Sequence, residues 1–259
     1  MLTVDLNADL GESFGNWRLE QNDELLDIVT SANIACGFHA GDPMVMAETV
    51  KKAAERGIGI GCHAGFPDLQ GFGRRKIEMK PDEIHDIVLY QLGALEGFAR
   101  ANGVRIQHFN GHGALGTWAQ HDMDVARAVV KAIYEFDSSI IIPVQNVKAC
   151  LNVAAQELGI RTVTRRFFTD RAYTDDGFLA PRSMPGSMIT DENFAIERAI
   201  RVIKEQKLVT ISGKEIHFDV PQIIMLHGDQ PKAVIFARKL KEVLTAEGIG
   251  LCNFAKSID

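Results

Sequence analysis

Residues 32–42 have the sequence Ala32-Asn33-Ile34-Ala35-Cys36-Gly37-Phe38-His39-Ala40-Gly41-Asp42. A short apolar run here ends in a glycine-rich turn that carries a histidine and a carboxylate. Short runs rich in β-branched residues recur along the chain at spacings suited to βα units. They predict seven strands, near Thr3–Asn7, Ala32–Cys36, Ile58–Cys62, Arg105–Phe109, Ser139–Pro143, Arg161–Thr164 and Gln222–His227.

Amphipathic stretches with a helical period lie between these strands, for example from Ile84 to Leu95 and from Val125 to Ile133. Seven strand-then-helix units without a linker or an internal repeat favour one α/β domain over residues 1–259, a seven-stranded parallel β/α barrel. The turn after the first strand lacks the G-x-G-x-x-G fingerprint of open dinucleotide-binding sheets, which supports the same choice. Residues 208–218 are the exception, because they are predicted to form a small β-hairpin insertion.

Polar side chains follow every predicted strand. Because the carboxyl ends of all strands in a parallel barrel lie on one face, these side chains converge where barrel enzymes carry their active sites. In chain order they are Asn7, Asp9, Glu12, Cys36, His39, Asp42, His63, Asp68, His108, Asn110, His112, Gln145, Asn146, Asp170, Arg171, His227 and Asp229. We therefore expect a catalytic site on this face.

Each of these residues also has a structural interpretation. A lone histidine beside a strand is more often a hydrogen-bonded structural group than a ligand, and Asp9 and Glu12 are also suited to capping a helix. Cys36 and Cys62 are typical of buried, inert thiols. Seven coincidences on one face are less plausible than a site. Aspartate and histidine together suit either a divalent cation or metal-free acid–base chemistry on an amide, and the sequence leaves both open.

Several other classes of protein are excluded. The sequence has no H-E-x-x-H zinc helix, no G-x-S-x-G elbow and no P-loop that would bind ATP. A net charge of −6 argues against a nucleic-acid partner. No aliphatic run approaches the about 20 residues needed to span a bilayer, and residues 1–9 lack the apolar region of a secretory signal. With only four cysteines, we expect a cytoplasmic protein with reduced thiols.

Three long segments, and two shorter ones further along, resemble the LamB/YcsF family, the group of the A-type 5-oxoprolinase subunits. They are residues 4–15 (VDLNADLGESFG), 30–43 (TSANIACGFHAGDP), 65–75 (GFPDLQGFGRR), 170–173 (DRAY) and 226–229 (LHGD). The resemblance covers nearly the whole chain. It implies a seven-stranded barrel of the glycoside hydrolase/deacetylase type. It also implies ATP-dependent opening of 5-oxo-L-proline to L-glutamate together with two further oxoprolinase subunits, with ATP handled through those partners.

The chain departs from the family pattern after the fourth strand. The family usually has Lys-Pro-His-Gly-Ala-Leu-Tyr there, whereas residues 110–116 are Asn110-Gly111-His112-Gly113-Ala114-Leu115-Gly116. A cation and a phenol are therefore missing from the expected site. The lysine would be a natural partner for a carboxylate or phosphoryl group, and the tyrosine would be suited to donating a proton.

The leading hypothesis is a hydrolase that acts on a cyclic amide. We expect catalytic roles for Asp9, Glu12, His112 and Asp229, and substrate binding by Asn7, His39, His63, Arg75, Asn110, Arg171 and His227. A divalent metal at Asp9, His39 and His63 is an open alternative, as is a homo-oligomer. Two other functions stay open: a metal-dependent deacetylase or carbohydrate hydrolase on the same barrel, and a non-catalytic subunit that binds substrate.

Overall fold

The computed structural model describes residues 2–19, 22–226 and 233–256. The strands are β1 (Thr3–Leu10), β2 (Ser31–Ala35), β3 (Gly59–His63), β4 (Ile106–Phe109), β5 (Ile142–Pro143), β6 (Thr162–Val163), β7 (Arg166–Phe168), β8 (Lys207–Val209), β9 (Glu215–His217), β10 (Ile223–Leu226) and β11 (Gly250–Leu251). The helices are α1 (Asn22–Leu26), α2 (Pro43–Glu55), α3 (Pro81–Ala101), α4 (Gly113–His121), α5 (Met123–Asp137), α6 (Cys150–Glu157), α7 (Glu192–Glu205) and α8 (Ala233–Ala246).

The parallel strands form the predicted β/α barrel. The main sheet has the order β4-β3-β2-β1-β10-β7, and β11 adds to the start of β1. A parallel bridge between His108 and Ile141 links β4 to the β5-β6 pair, which continues the ring. The expected sixth strand, Arg161–Thr164, corresponds to β6, which pairs with β5. The sequence analysis missed β7, which begins after two intervening residues and pairs with β10. The chain thus passes from one neighbour to the other across Thr164 and Arg165.

Apolar side chains pack between the strands and the helices that surround them. The predicted stripes on α3 and α5 are buried, including Ile84, Val88 and Leu92 on α3 and Val129 on α5. The main apolar cluster contains residues from Val4 to Ile249. Alternation along β1 puts Val4, Leu6, Ala8 and Leu10 in this apolar cluster and leaves its remaining positions to polar side chains.

Two further features bear on the sequence-based predictions. The insertion is confirmed, because β8 and β9 pair antiparallel as a hairpin. The first strand is longer than predicted and ends at Leu10, so Asp9 lies within β1 rather than in the turn after it.

The loops at the carboxyl ends of the strands are held by side chains of the helices. The buried Gln91 of α3 accepts a hydrogen bond from the Gly65 backbone N–H and donates one to the Gly65 carbonyl, which fixes the loop after β3. Asp42 caps α2 through the N–H groups of Met44 and Val45 and also accepts from Gly15. No helix in the described part of the chain is long and apolar enough to cross a membrane.

Candidate functional site

Four buried side chains meet where the first four strands end. Glu12 follows β1, His39 follows β2, His63 is the last residue of β3, and His112 follows β4. One potential ligand atom from each lies within 4.8 Å of those of the other three. We call these residues the Glu-His cluster. The barrel topology therefore brings together four of the residues that the strand-end pattern singled out.

Glu12 occupies the middle of the Glu-His cluster. Its Oε1 atom lies 3.3 Å from Nε2 of His39, 3.4 Å from Nδ1 of His112 and 3.8 Å from Nε2 of His63. Zinc binds histidine nitrogen and carboxylate oxygen at about 2.0–2.2 Å, so two donors of a tetrahedral site lie about 3.3–3.5 Å apart. The observed spacings are close to these values. The donor set therefore fits a divalent cation.

Backbone carbonyls fix the rings of His63 and His112. Nδ1 of His63 lies 2.6 Å from the carbonyl oxygen of Asn110, and Nε2 of His112 lies 2.7 Å from that of Phe72. Because a carbonyl oxygen only accepts, both of these nitrogens carry a proton. The opposite nitrogens face each other across the cluster at 3.0 Å. A ring nitrogen that donates to a carbonyl is the arrangement that orients metal-binding histidines.

His39 stacks on His112. The ring centroids are 3.7 Å apart and the planes differ by 3°. Gly73 permits this approach, because it has a φ of +61° and a Cβ there would lie 2.8 Å from Cδ2 of His112 and 2.8 Å from Cβ of His39. Burial lowers the pKa of His39 well below its ordinary value and lowers the pKa of His112 to about 3. Both stacked rings are therefore neutral at pH 7.

His63 has the opposite charge preference. Burial alone would lower its pKa, but Asp9, whose Oδ1 atom lies 3.3 Å from Nε2 of His63, and Glu12 together raise the pKa to about 9. The negative charge of the two carboxylates therefore favours a cation at Nε2 of His63, either a proton or a metal ion.

Asp9 is held by a ladder of polar side chains inside the barrel. Asn33 Nδ2 donates to Oδ1 of Asp9 at 2.8 Å and to Oδ1 of Asn7 at 2.6 Å, while Oδ1 of Asn33 lies 2.7 Å from Nε2 of His108. The sequence predicts substrate binding by Asn7. The structure instead places Asn7 in this ladder, where its Nδ2 also donates to Ser31. Asn7 does not line the cavity that adjoins the Glu-His cluster, which is described next.

A cavity of about 600 Å³ adjoins the Glu-His cluster. Its wall includes Asp9 and three members of the cluster, Glu12, His63 and His112. Cationic side chains also line it, namely Arg74, Lys76, Arg166, Arg171 and Arg182. A cavity that combines imidazoles and carboxylates with several cations suits a small anionic molecule.

The remaining predicted residues differ in where they lie. Arg171 is buried, lines the cavity and donates to the carbonyl of Ala180. Arg75 is largely exposed, forms an ion pair with Asp68 and does not line the cavity, so the structure does not bring it to the site. His227 and Asp229 lie outside the described residues.

Asn110 has a partner that the sequence analysis missed. Nη1 of the buried Arg166 donates to Oδ1 of Asn110 at 2.7 Å, and Nδ2 of Asn110 lies 3.5 Å from Oδ1 of Asp9. No motif pointed to Arg166. The only signal was its position just after the predicted sixth strand, whose carboxyl end belongs to the expected catalytic face.

After β4, the main chain at Gly111 packs directly against the main chain at Gly116. A Cβ on Gly116 would lie 2.1 Å from the carbonyl oxygen of Gly111, and a Cβ on Gly111 would lie 2.9 Å from Cα of Gly116. These contacts are with backbone atoms, which cannot rotate away. The position where the LamB/YcsF pattern has tyrosine therefore has no room for a side chain in this loop conformation.

Two solved structures have folds similar to that of this chain. The solved structure of a lactam utilization protein from Thermus thermophilus superposes with a TM-score of 0.90 at 40% identity, over 97% of this chain and 99% of that one. A family 4 carbohydrate esterase from Streptomyces lividans has a TM-score of 0.53 at 10% identity, over 96% of this chain and 91% of that one. This second likeness concerns the fold alone.

Sequence relatives are closer in identity. A protein from Campylobacter jejuni, named as the A-type subunit of 5-oxoprolinase, is 48% identical over 253 residues, 97% of this chain and 98% of that protein. A protein of the same name from Clostridium beijerinckii is 47% identical over 256 residues, 99% of both chains. The model of the LamB/YcsF family matches residues 4–259. The chain therefore belongs to the LamB/YcsF family.

Proposed function

We propose that this chain is the ring-opening subunit of an ATP-dependent 5-oxoprolinase, which hydrolyses 5-oxo-L-proline to L-glutamate together with two partner subunits. The observation that carries the proposal is the Glu-His cluster beside a cavity with several cationic side chains. Relatives named as A-type 5-oxoprolinase subunits and a similar structure named lactam utilization protein supply the choice of substrate.

The chemistry of the substrate supports a need for ATP. A five-membered lactam is nearly unstrained, so its amide resists attack by water, and phosphoryl activation of the carbonyl makes it a better electrophile. The sequence contains no P-loop. We therefore assign the binding of ATP to the partner subunits and the hydrolytic step to this chain.

Proton transfer is assigned to Glu12 and His112. Both line the cavity, and Nδ1 of His112 lies 3.4 Å from Oε1 of Glu12. Water adds to the phosphoryl-activated lactam carbon while Glu12 takes its proton. The proton then passes through His112 to the nitrogen that leaves when the carbon–nitrogen bond breaks, which gives γ-glutamyl phosphate. A second water hydrolyses this acyl phosphate to L-glutamate and inorganic phosphate. Asp9 positions His63 through the 3.3 Å contact with Nε2.

A divalent metal fits the same residues. Glu12, His39, His63 and His112 would hold it in place of the proton-transfer roles above, since two of the rings are oriented by backbone carbonyls as metal-binding histidines are. A bound cation would supply Lewis-acid polarisation of the carbonyl oxygen. This donor set also favours the second candidate function, a metal-dependent deacetylase or carbohydrate hydrolase that works without partners or ATP.

Reconstitution tests the proposal. The purified chain is mixed with the two partner subunits of a related 5-oxoprolinase, 5-oxoproline and ATP, and glutamate is measured. We expect glutamate that depends on both ATP and this chain. The control replaces this chain with the Campylobacter jejuni relative. Turnover with the relative and none with this chain would overturn the proposal, and metal-dependent release of acetate from N-acetylated sugars without ATP would favour the second candidate.

A further inference from the structure

Arg166 lies at the inner part of the cavity, close to the Glu-His cluster. Its side chain lines the cavity although the residue is only 8% exposed. Nη1 donates to Oδ1 of Asn110, whose Nδ2 lies 3.5 Å from Asp9 and 3.4 Å from Nδ1 of His63. One amide side chain therefore separates the guanidinium from the Asp9–His63 pair.

The guanidinium of Arg166 is held in place, but one of its N–H groups has no acceptor among the described residues. It lies over the ring of Phe168, with Cζ 4.4 Å from the ring centroid, and Nη1 also reaches the carbonyl of Pro143 at 3.4 Å. Nε is buried and has no acceptor among the described residues. A buried donor without an acceptor is costly, and an anionic group that accepts from a guanidinium removes that cost.

Arg166 also contacts the residue at which the chain departs from the family pattern. Asn110 stands where the LamB/YcsF pattern has lysine. Here Oδ1 of Asn110 accepts from Arg166, so a lysine at 110 would place a second cation against the guanidinium. The cation that is missing from the β4 loop is thus present on β7, across the barrel interior.

Arg171 also lines the cavity but is in different surroundings. Nη2 of Arg171 donates to the carbonyl of Ala180. Burial, together with the nearby cations Arg182 and Arg74, lowers the pKa of Arg171 to about 10, against the opposing effect of Asp170. Asp9 is the charged neighbour of Arg166 instead. Arg74 is a charged neighbour of His39 and His112. Arg166 is the cavity cation that reaches the Asp9–His63 pair, through Asn110. A carboxylate on the carbon next to the lactam nitrogen needs its partner within a few ångströms of the reacting carbonyl.

We propose that Arg166 binds the carboxylate of the substrate and thereby restricts the site to lactams that carry one. The inference rests on the proposed function for the identity of the ring. It names a specificity-determining residue that the family motifs do not include. Charge-assisted hydrogen bonds of this kind support a preference of roughly 10- to 100-fold.

The test compares two lactams that differ only in the carboxylate. Binding of 5-oxoproline and of 2-pyrrolidinone to the full chain is measured by calorimetry. We expect the wild type to prefer 5-oxoproline by roughly 10- to 100-fold and Arg166→Met to bind both about equally. Arg166→Lys should keep part of the preference, because it retains the charge but loses the planar guanidinium. Asn110→Lys alone should not raise the preference, whereas Asn110→Lys with Arg166→Met should restore it.

Arg165→Met is the matched control. It removes the neighbouring arginine, which donates to Gln222 and lines a separate small cavity, and it should keep the wild-type preference. Arg171→Met tests the competing cation of the same cavity, and the Arg166 proposal expects this variant to keep a preference for 5-oxoproline. Thermal unfolding identifies any variant that does not fold. If Arg166→Met fails to fold, then Arg166→Lys and the double variant decide.

The Arg166 proposal is overturned if the wild type does not discriminate between the lactams, if folded Arg166→Met still does, or if Arg171→Met alone abolishes the preference. Glutamate release tests the proposed function separately. Turnover with an unchanged KM for 5-oxoproline in Arg166→Met would reject Arg166 and leave the ring-opening activity in place. A carboxylate preference lost in Arg166→Met, in a chain without turnover, would reject only that activity.

Discussion

Nδ1 of His112 lies 3.0 Å from Nε2 of His63, although each ring already donates a proton from its other nitrogen to a backbone carbonyl. Two nitrogen lone pairs at this distance repel each other unless a positive charge lies between them. A proton on His63 or a metal ion supplies that charge. Asp9 and Glu12 stabilise either one, which makes this pair of histidines the electrostatic centre of the site.

The first prediction concerns metal. After dialysis against zinc and then against metal-free buffer, we expect about one equivalent of zinc per chain, because the spacings of Glu12 Oε1 to His39 Nε2 and to His112 Nδ1 match those of a tetrahedral site. His39→Ala and His112→Ala should each lower the retained zinc at least about tenfold. His85→Ala is the control, since His85 pairs with Asp86 and Glu135 away from the cluster. Mass spectrometry of bound metals gives the answer, and zinc retention equal in wild type and His112→Ala would contradict a metal at the cluster.

The second prediction concerns the close contact between the main chains of Gly111 and Gly116 after β4. Gly116→Ala should lower the free energy of unfolding by about 1–3 kcal/mol, because the new Cβ meets the backbone carbonyl of Gly111. Gly93→Ala in α3 is the matched control, since nothing lies within 4 Å of a Cβ there. That change should stabilise the protein by about 0.5–1 kcal/mol. Urea denaturation measures the free energy of unfolding of both variants. Equal effects of the two substitutions would show that Gly111 and Gly116 do not pack against each other.

The third prediction concerns pH. Burial raises the pKa of Asp5 to about 7, against the effect of hydrogen bonds from Ser31 and the Phe254 N–H. Above its ordinary pKa of 3.8, the unfolded chain loses the Asp5 proton while the folded chain keeps it up to about pH 7. The contribution of Asp5 to the free energy of unfolding should therefore fall by about 1.4 kcal/mol per pH unit between about pH 4 and pH 7.

Asp5→Asn removes this loss. The stability of the variant relative to wild type should rise from about pH 4 to about pH 7 and then level off, while the exposed Glu55→Gln control should show no such rise. Arg165 is a charged residue that lines the same small cavity as Asp5. It is present in both wild type and Asp5→Asn, so it does not contribute to the difference between them. A stability difference that does not vary with pH would mean that Asp5 is ionised in the folded protein.

The sequence predicted the parts of the site that depend on barrel topology. Glu12, His39, His63 and His112 are distant in sequence, and they meet because each one ends or follows a parallel strand. Arg75 could not be placed from sequence, because its pairing with Asp68 depends on how the loop between them folds.

The sequence pattern did not predict which polar side chains are buried inside the barrel. Asn7 looks like a strand-end polar residue and Asn33 lies within a predicted strand, yet both are buried in the hydrogen-bonded chain of side chains that holds Asp9. A buried arginine such as Arg166 looks like a surface residue in the sequence, since its burial depends on Phe168 and Asn110. The sequence analysis also missed β7, because this three-residue strand follows β6 after only two residues and pairs with a different neighbour.

The central claim is that the Glu-His cluster performs lactam hydrolysis, and Glu12→Gln in the reconstituted assembly tests it most directly. Glutamate release from 5-oxoproline and ATP is compared for wild type, Glu12→Gln and the exposed control Glu48→Gln, whose carboxylate pairs with Lys52. We predict that Glu12→Gln lowers kcat by about 10²- to 10⁴-fold while Glu48→Gln leaves it unchanged. A folded Glu12→Gln variant that releases glutamate at the wild-type rate would contradict the claim.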